Sequence, residues 1–174
     1  MNLGPELTQN PEEIRFTQES ISPTLSKPKP GEKTAPHLDA LVALLNTGKQ
    51  RMTDFPACEI FSIEDPLTQE VAWFSLNNRK LYLAKKSHAP QMNTQLATFA
   101  EILGDTWKYT STSDGYNYPK LSSQSDKASV PTGLLGQFRL FLEAEKATFD
   151  TQTPAGMAQV YDDAVQRFHL TCKR

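Results

Sequence analysis

The stretch that most constrains this chain is Val71 to His88, VAWFSLNNRKLYLAKKSH, where a run suited to a buried strand passes into a basic helical run through a short polar junction. Val71 to Leu76 is β-branched, aromatic and aliphatic and too short for a core helix, so it predicts a strand. Asn77 then takes the N-cap position, where a side-chain oxygen accepts one of the unpaired amide N–H groups of the first turn. Arg79 and Lys80 follow at the positive end of the helix, where cations oppose the macrodipole by a few tenths to about 1 kcal/mol. An anion in front of the helix reverses that sign, because a phosphate meets the free N–H groups and the arginine together. The same residues also suit a plain strand-to-helix junction on which Arg79, Lys80, Lys85 and Lys86 form a solvated face.

A chain of 174 residues suits one domain, or one domain with an added helical piece. Its net charge of -2 supplies no overall attraction to nucleic acid, so any such site is local to the basic helix just described. Cys58 and Cys172 lie far apart, match no metal or redox spacing and read as free thiols. His37, His88 and His169 are scattered without an H-x-x-x-H pair, so the sequence supports no metal ligand set and no divalent cofactor. The opening MNLGPELTQNPEE is acidic and polar, unlike a secretory signal or transit peptide, and no apolar run approaches membrane-spanning length. The expected location is the cytoplasm, or outside the cell by a route without a cleaved secretory signal, with no membrane partner.

Residues 1–13 carry two prolines and three acids and are expected to be disordered or loosely draped. Ile14 to Thr17 alternates as a short strand does, Gln18 to Ile21 turns the chain, and SPTLSKPKPGEKTAP is a loop whose prolines forbid a regular element. In HLDALVALLNTG, Leu38, Leu41, Val42 and Leu45 form one apolar stripe and Gly48 stops the helix. Cys58 to Ile63 reads as a strand, Glu64 to Glu70 as the turn that folds it back on Val71 to Leu76, and the following helix should end near His88 to Pro90. A strand and then a short helix are expected between Gln91 and Leu103, followed by the alternating Trp107 to Thr112 and a turn at Ser113 to Gly115. Residues 118–130 read as a linker. Residues 131–174 then predict an antiparallel helical hairpin, packed on the sheet or on a partner. Leu134, Phe138, Phe141 and Leu142 line its first helix, and Met157, Tyr161, Ala164 and Phe168 its second, which Thr153 and Pro154 open.

This order of elements, with Ile60-Phe61-Ser62-Ile63 leading to Trp73-Phe74-Ser75-Leu76-Asn77-Asn78-Arg79-Lys80-Leu81, is similar to the ParB and sulfiredoxin-like superfamily. More closely, Ile14-Arg15-Phe16-Thr17-Gln18-Glu19-Ser20-Ile21, the Leu-Asn-Asn-Arg-Lys-Leu stretch and Trp107-Lys108-Tyr109-Thr110 resemble spaced motifs of ParB-like toxin domains at the ends of bacterial polymorphic toxins. The resemblance covers Ile14 to Gly115. It implies an α+β fold: a small mixed sheet with packed helices over residues 14–117, to which the C-terminal hairpin is added. Two positions depart from the pattern. Asn77 stands where an aspartate is commoner, removing a carboxylate that could hold a cation or act as a base. Lys80 replaces a second arginine, which keeps the charge and loses the bidentate fork.

The function implied is a toxin or effector domain acting on a phosphate-containing substrate, nucleic acid or nucleotide, as a nuclease or nucleotide phosphohydrolase. Arg79, Gln18 and Asn78 would carry the chemistry. Asn77, Asn78, Arg79, Lys80, Thr17, Ser20 and Lys108 would hold the phosphate, with a nucleotide as the one cofactor the pattern suggests. No general base stands out; Glu19 and Glu70 are candidates by expected proximity alone. The alternative is a non-catalytic ParB-like module that binds a protein partner through residues 131–174, and an immunity or adaptor role rests on size and acidity only. The fold supports nucleases, nucleotide switches and phosphoryl-transfer enzymes alike.

Overall fold

The computed structural model describes residues 7–25, 30–122, 124 and 129–174. The hairpin expected around the turn at Glu64 to Glu70 is its centre. Strand β4 (Cys58–Glu64) pairs antiparallel with β5 (Val71–Ser75), with Phe61 opposite Phe74. The turn is closed by the Asp65 amide donating to the Glu70 carbonyl at 2.8 Å. Strand β6 (Met92–Leu96) adds parallel to β4, and β2 (Ile14–Arg15) parallel to β5. Strand β1 (Leu7–Gln9) lies antiparallel on the far edge of β6, giving the order β1-β6-β4-β5-β2.

Both faces of this mixed sheet are covered, which is why every residue of β4 but Glu59 and Glu64 is buried. On one face, helices α1 (Leu38–Asn46) and α2 (Asn78–Lys86) bury Leu38, Leu41, Leu81 and Leu83 with Ile14, Cys58 and Ile60. On the other, α3 (Phe99–Gly104), α4 (Gly133–Thr148) and α5 (Pro154–Phe168) close over Phe61, Ile63, Ala72 and Phe74. The C-terminal helical hairpin therefore packs on the sheet. Thr153 caps α5 as its sequence announces, its hydroxyl accepting from the Gly156 amide at 3.1 Å. Past the hairpin, Ser62 and Thr171 exchange backbone hydrogen bonds of 3.2 and 2.9 Å, so the chain end extends the sheet beside β4 where β6 has left it.

Two expectations are corrected. The loose N-terminus expected over 1–13 does not hold for 7–13: Leu7–Gln9 is a strand and Pro11–Glu13 a 3-10 turn capped by Asn10, while 1–6 lie outside the described residues. Main-chain bonds to β6 order this polar segment without needing apolar side chains. The stretch 118–130 is not linker throughout, because β7 (Lys120–Leu121) pairs parallel with β3 (Ser20–Ile21). Thr106–Lys108 forms a 3-10 turn, and the chain beyond it is held by Thr110 and Ser111 amides donating to the Thr17 carbonyl at 2.8 and 3.1 Å. Of the proline-rich loop, 26–29 lie outside the described residues. Its two arms are fastened together by the Leu25 amide on the Pro36 carbonyl at 3.0 Å. Among the described residues no helix is long and apolar enough to cross a membrane.

Candidate functional site

Where β5 runs into α2 the surface opens into a cleft of about 460 Å³. Its floor is the first turn of α2. Its walls are the β3 segment, the Thr106–Lys108 turn and residues around Ser122. Gln18, Ser20, Asn77, Asn78, Arg79, Lys80 and Lys108 all line it, so residues expected from distant parts of the sequence meet there. Thr17 does not line it. Its side chain is fully buried, its hydroxyl donating to the Ser75 carbonyl at 2.9 Å and accepting from Asn78 Nδ2 at 2.8 Å.

Asn78 explains how the two halves are joined. It is 2 % exposed, its Oδ1 accepting from the Thr17 amide at 2.8 Å and its Nδ2 donating to Thr17 Oγ1 and, at 3.0 Å, to Gln18 Oε1. Its side chain is committed to the fold and fixes Gln18 on the cleft wall, so the contribution of Asn78 to a ligand would come from its backbone. Asn77 stands at the N-cap position but its side chain does not cap the helix. It turns to β4 instead, Oδ1 accepting from the Glu59 amide at 2.6 Å and Nδ2 donating to the Glu59 carboxylate at 3.4 Å. The reason is competition: the end of β4 offers an unpaired amide within reach. The consequence is that, among the described residues, no side chain caps the first-turn N–H groups of α2.

Arg79 is half-buried, and Nη1 donates to the Thr24 carbonyl at 2.8 Å, with no carboxylate paired to it among the described residues. One such bond leaves a guanidinium with several further donors. Lys80 Nζ reaches the Ala57 carbonyl at 3.4 Å with its charge felt by Glu59, while Lys108 Nζ is paired with Asp105 at 2.8 Å. No carboxylate or imidazole lines the cleft among the described residues. Glu19 is occupied by the Thr112 amide and hydroxyl at 3.0 and 2.9 Å. Glu70 is ion-paired with Arg15 at 2.6 Å. Cys58 lies beneath Asn77 with Sγ 3.2 Å from Ser75 Oγ, and burial pushes its thiol up to about 11, which makes it a poor nucleophile.

The cleft also holds residues the sequence did not nominate, among them Ile21, Leu25, Trp107, Ser122 and Gln124. The parallel pairing of β3 with β7 brings Ser122 in, and two-residue strands leave no pattern to read. Trp107 did carry a signal, being an aromatic within a run of polar and basic residues. No family model, no curated protein and no solved structure matches this chain.

Proposed function

We propose that this chain is a ParB/sulfiredoxin-like domain whose cleft binds the phosphate of a nucleotide or of a nucleic acid. The observation that carries the reading is one cleft joining Arg79, Lys80 and Lys108 to an uncapped helix N-terminus, with no acid in its lining among the described residues. A phosphate there takes a charge-assisted bond from Arg79 and amide bonds from the first turn. The wider role is that of an effector of the polymorphic-toxin kind. It works in a cytoplasm, the producing cell's or a recipient's.

As a nuclease or nucleotide phosphohydrolase the domain would stabilise transition-state charge through Arg79 and position water through Gln18. The engagement of Glu19 and Glu70 elsewhere favours the second reading, a module that binds without chemistry. Fluorescence anisotropy with labelled nucleotides and short DNA and RNA tests the binding, and chromatography of the same mixtures tests turnover. Arg79→Ala should weaken binding about 10- to 100-fold, the worth of a charge-assisted hydrogen bond, with little change in melting temperature. Arg79→Lys should recover part of that loss, because the charge returns without the fork. Products released by the wild type but not by Arg79→Ala would establish the enzyme; binding without products, the module. A wild type that binds none of the panel, with a destabilised Arg79→Ala, would reduce Arg79 to a strut for Thr24.

A further inference from the structure

We infer that Lys85 is a modification site, a nucleophilic amine that takes an acyl group from a small activated donor, an acyl phosphate or a thioester. It lies outside the lining of the cleft and does not depend on the phosphate reading.

The basic face of α2 is not solvated at Lys85. Among the described residues Lys85 is the only charged residue that is buried, at 7 % exposure. Other amines that reach inward are given oxygens to hold. Lys108 meets the Asp105 carboxylate at 2.8 Å, and Lys146 meets the Thr106 hydroxyl and the Leu103 carbonyl at 2.9 and 3.1 Å. Lys85 Nζ has no such acceptor among the described residues, and stands instead 5.1 Å from the centroid of the fully buried Phe16 ring. Tyr118 packs on that ring at 5.6 Å, but carries Lys86 at 4.3 Å. Tyr82, on the same helix, donates its hydroxyl to Asp39 at 3.1 Å. Burial pushes the Lys85 ammonium below the usual lysine value. Glu12, exposed on the 3-10 turn, opposes that shift, and Arg15 on β2 adds to it.

A lysine taken out of water and set near another cation is the kind that acts as a nucleophile, since more of it is uncharged near neutral pH. In the step, the Nζ lone pair attacks the acyl carbonyl carbon and an N–C bond forms. The C–O bond to phosphate, or the C–S bond to sulfur, breaks, and the amine's proton passes through solvent to the departing phosphate or thiolate. The amide produced is uncharged. Burial, which works against the ammonium, therefore favours the acylated side chain, whereas an imine would stay basic and meet the same penalty on protonation. Acylation also removes the cation from Phe16, the residue before the Thr17 that Asn78 holds at the cleft.

Timed acetylation of the folded full chain tests this, with acetyl phosphate in one arm and the thioester S-acetyl-N-acetylcysteamine in the other, read at each lysine by peptide mass spectrometry. Lys86, the next residue and exposed, is the internal standard. Each unit by which a lysine is lowered raises its uncharged share at neutral pH about tenfold, partly offset by weaker nucleophilicity. Near neutral pH Lys85 should therefore be acetylated about threefold or more faster than Lys86 by at least one donor. That ratio should fall towards one as pH rises to the ordinary lysine value of about 10.4. In urea the two lysines should react alike. The arm that shows the preference identifies the donor class. A ratio of one or less in both arms near neutral pH would mean that packing on Phe16 shields the amine, and overturns the site. A preference that persists unchanged in urea would trace to local sequence rather than to the folded surroundings, and overturns it equally.

Discussion

On one face of the sheet Phe61, Phe74, Phe138 and Phe168 meet ring to ring. Phe61 lies 5.8 Å from Phe74 and 5.7 Å from Phe138, and Phe138 lies 5.2 Å from Phe168. On the other face, near the mouth of the cleft, the buried Thr17 and Asn78 side chains and the Ser75 carbonyl are joined by hydrogen bonds that draw together segments about sixty residues apart. The first arrangement gains stability from apolar area and needs no particular atom in a particular place. The second gains little area, but each donor has one acceptor, and the result is a hole of fixed shape. Damage to the aromatic face should therefore be felt as loss of the fold, and damage to the polar face as loss of the site.

The largest test of that contrast is Phe138→Ala, which removes a fully buried ring that touches Phe61, Tyr109 and Phe168. It should cost about 3–5 kcal/mol in denaturant unfolding. A midpoint near that of the wild type would show that the hairpin contributes little to the shared core. Next comes Asn78→Ala, which strands the buried Thr17 amide and frees Gln18. The expected cost is about 1–3 kcal/mol of stability. Unlike Phe138→Ala, it should also weaken ligand binding when measured under conditions where the variant is folded. Unchanged affinity would separate the Asn78 network from the site.

The local parts of this architecture were legible in the sequence because they repeat. The alternation and run of Cys58–Glu64 and Val71–Ser75, the stripe of Leu38 and Leu41, and the stripe of Phe138 and Leu142 each carry a period that a strand or helix imposes. Leu7–Gln9 and Lys120–Leu121 were not legible, since they are ordered by main-chain bonds that any side chain permits. The meeting of Gln18 with Arg79 followed from motif resemblance, but the burial of Thr17 and Asn78 did not. A short polar side chain can face a ligand or a neighbouring amide, and only the approach of the β2–β3 segment to α2 decides which. Asn77 shows the same limit: its position as first residue before the helix was readable, its preference for the Glu59 amide was not.

Asn77→Asp sharpens the polar half of the contrast. It would restore the carboxylate commoner in the resembling motif but place it against Glu59, whose carboxyl is already pushed up first by burial and then by Glu101. At neutral pH the Nδ2 donor becomes a second anion, and about 1 kcal/mol of stability should be lost. The additional repulsion raises the Glu59 carboxyl further in the folded chain, so the deficit should shrink as pH falls and the pair takes up a proton. Melting curves of the variant and wild type across the acidic range check the sign. A deficit that grows on acidification would mean that the two side chains have moved apart.

The smallest expected effect lies on the aromatic side, at a polar contact between the two helices of its hairpin. Glu145 on α4 faces Asp163 on α5, whose Oδ1 already accepts from Gln159 at 2.9 Å. Burial first, and then Asp163, push the Glu145 carboxyl up from 4.5 to about 6. A value raised in the folded chain means that the folded state holds the proton more tightly. The stabilisation is present in full below the unfolded value of about 4.5 and is lost as pH rises through about 6. Water screens much of this interaction, so the gain should be about 0.5 kcal/mol. Glu145→Gln keeps the shape and removes the charge, so it should melt slightly above the wild type at neutral pH and converge with it in acid. Because neither Glu145 nor Asp163 lines the cleft, ligand affinity should not change with this substitution. Parallel melting curves at every pH would show that Glu145 is fully solvated, while a change in ligand affinity would break the division between a face that holds the fold and a face that holds the site.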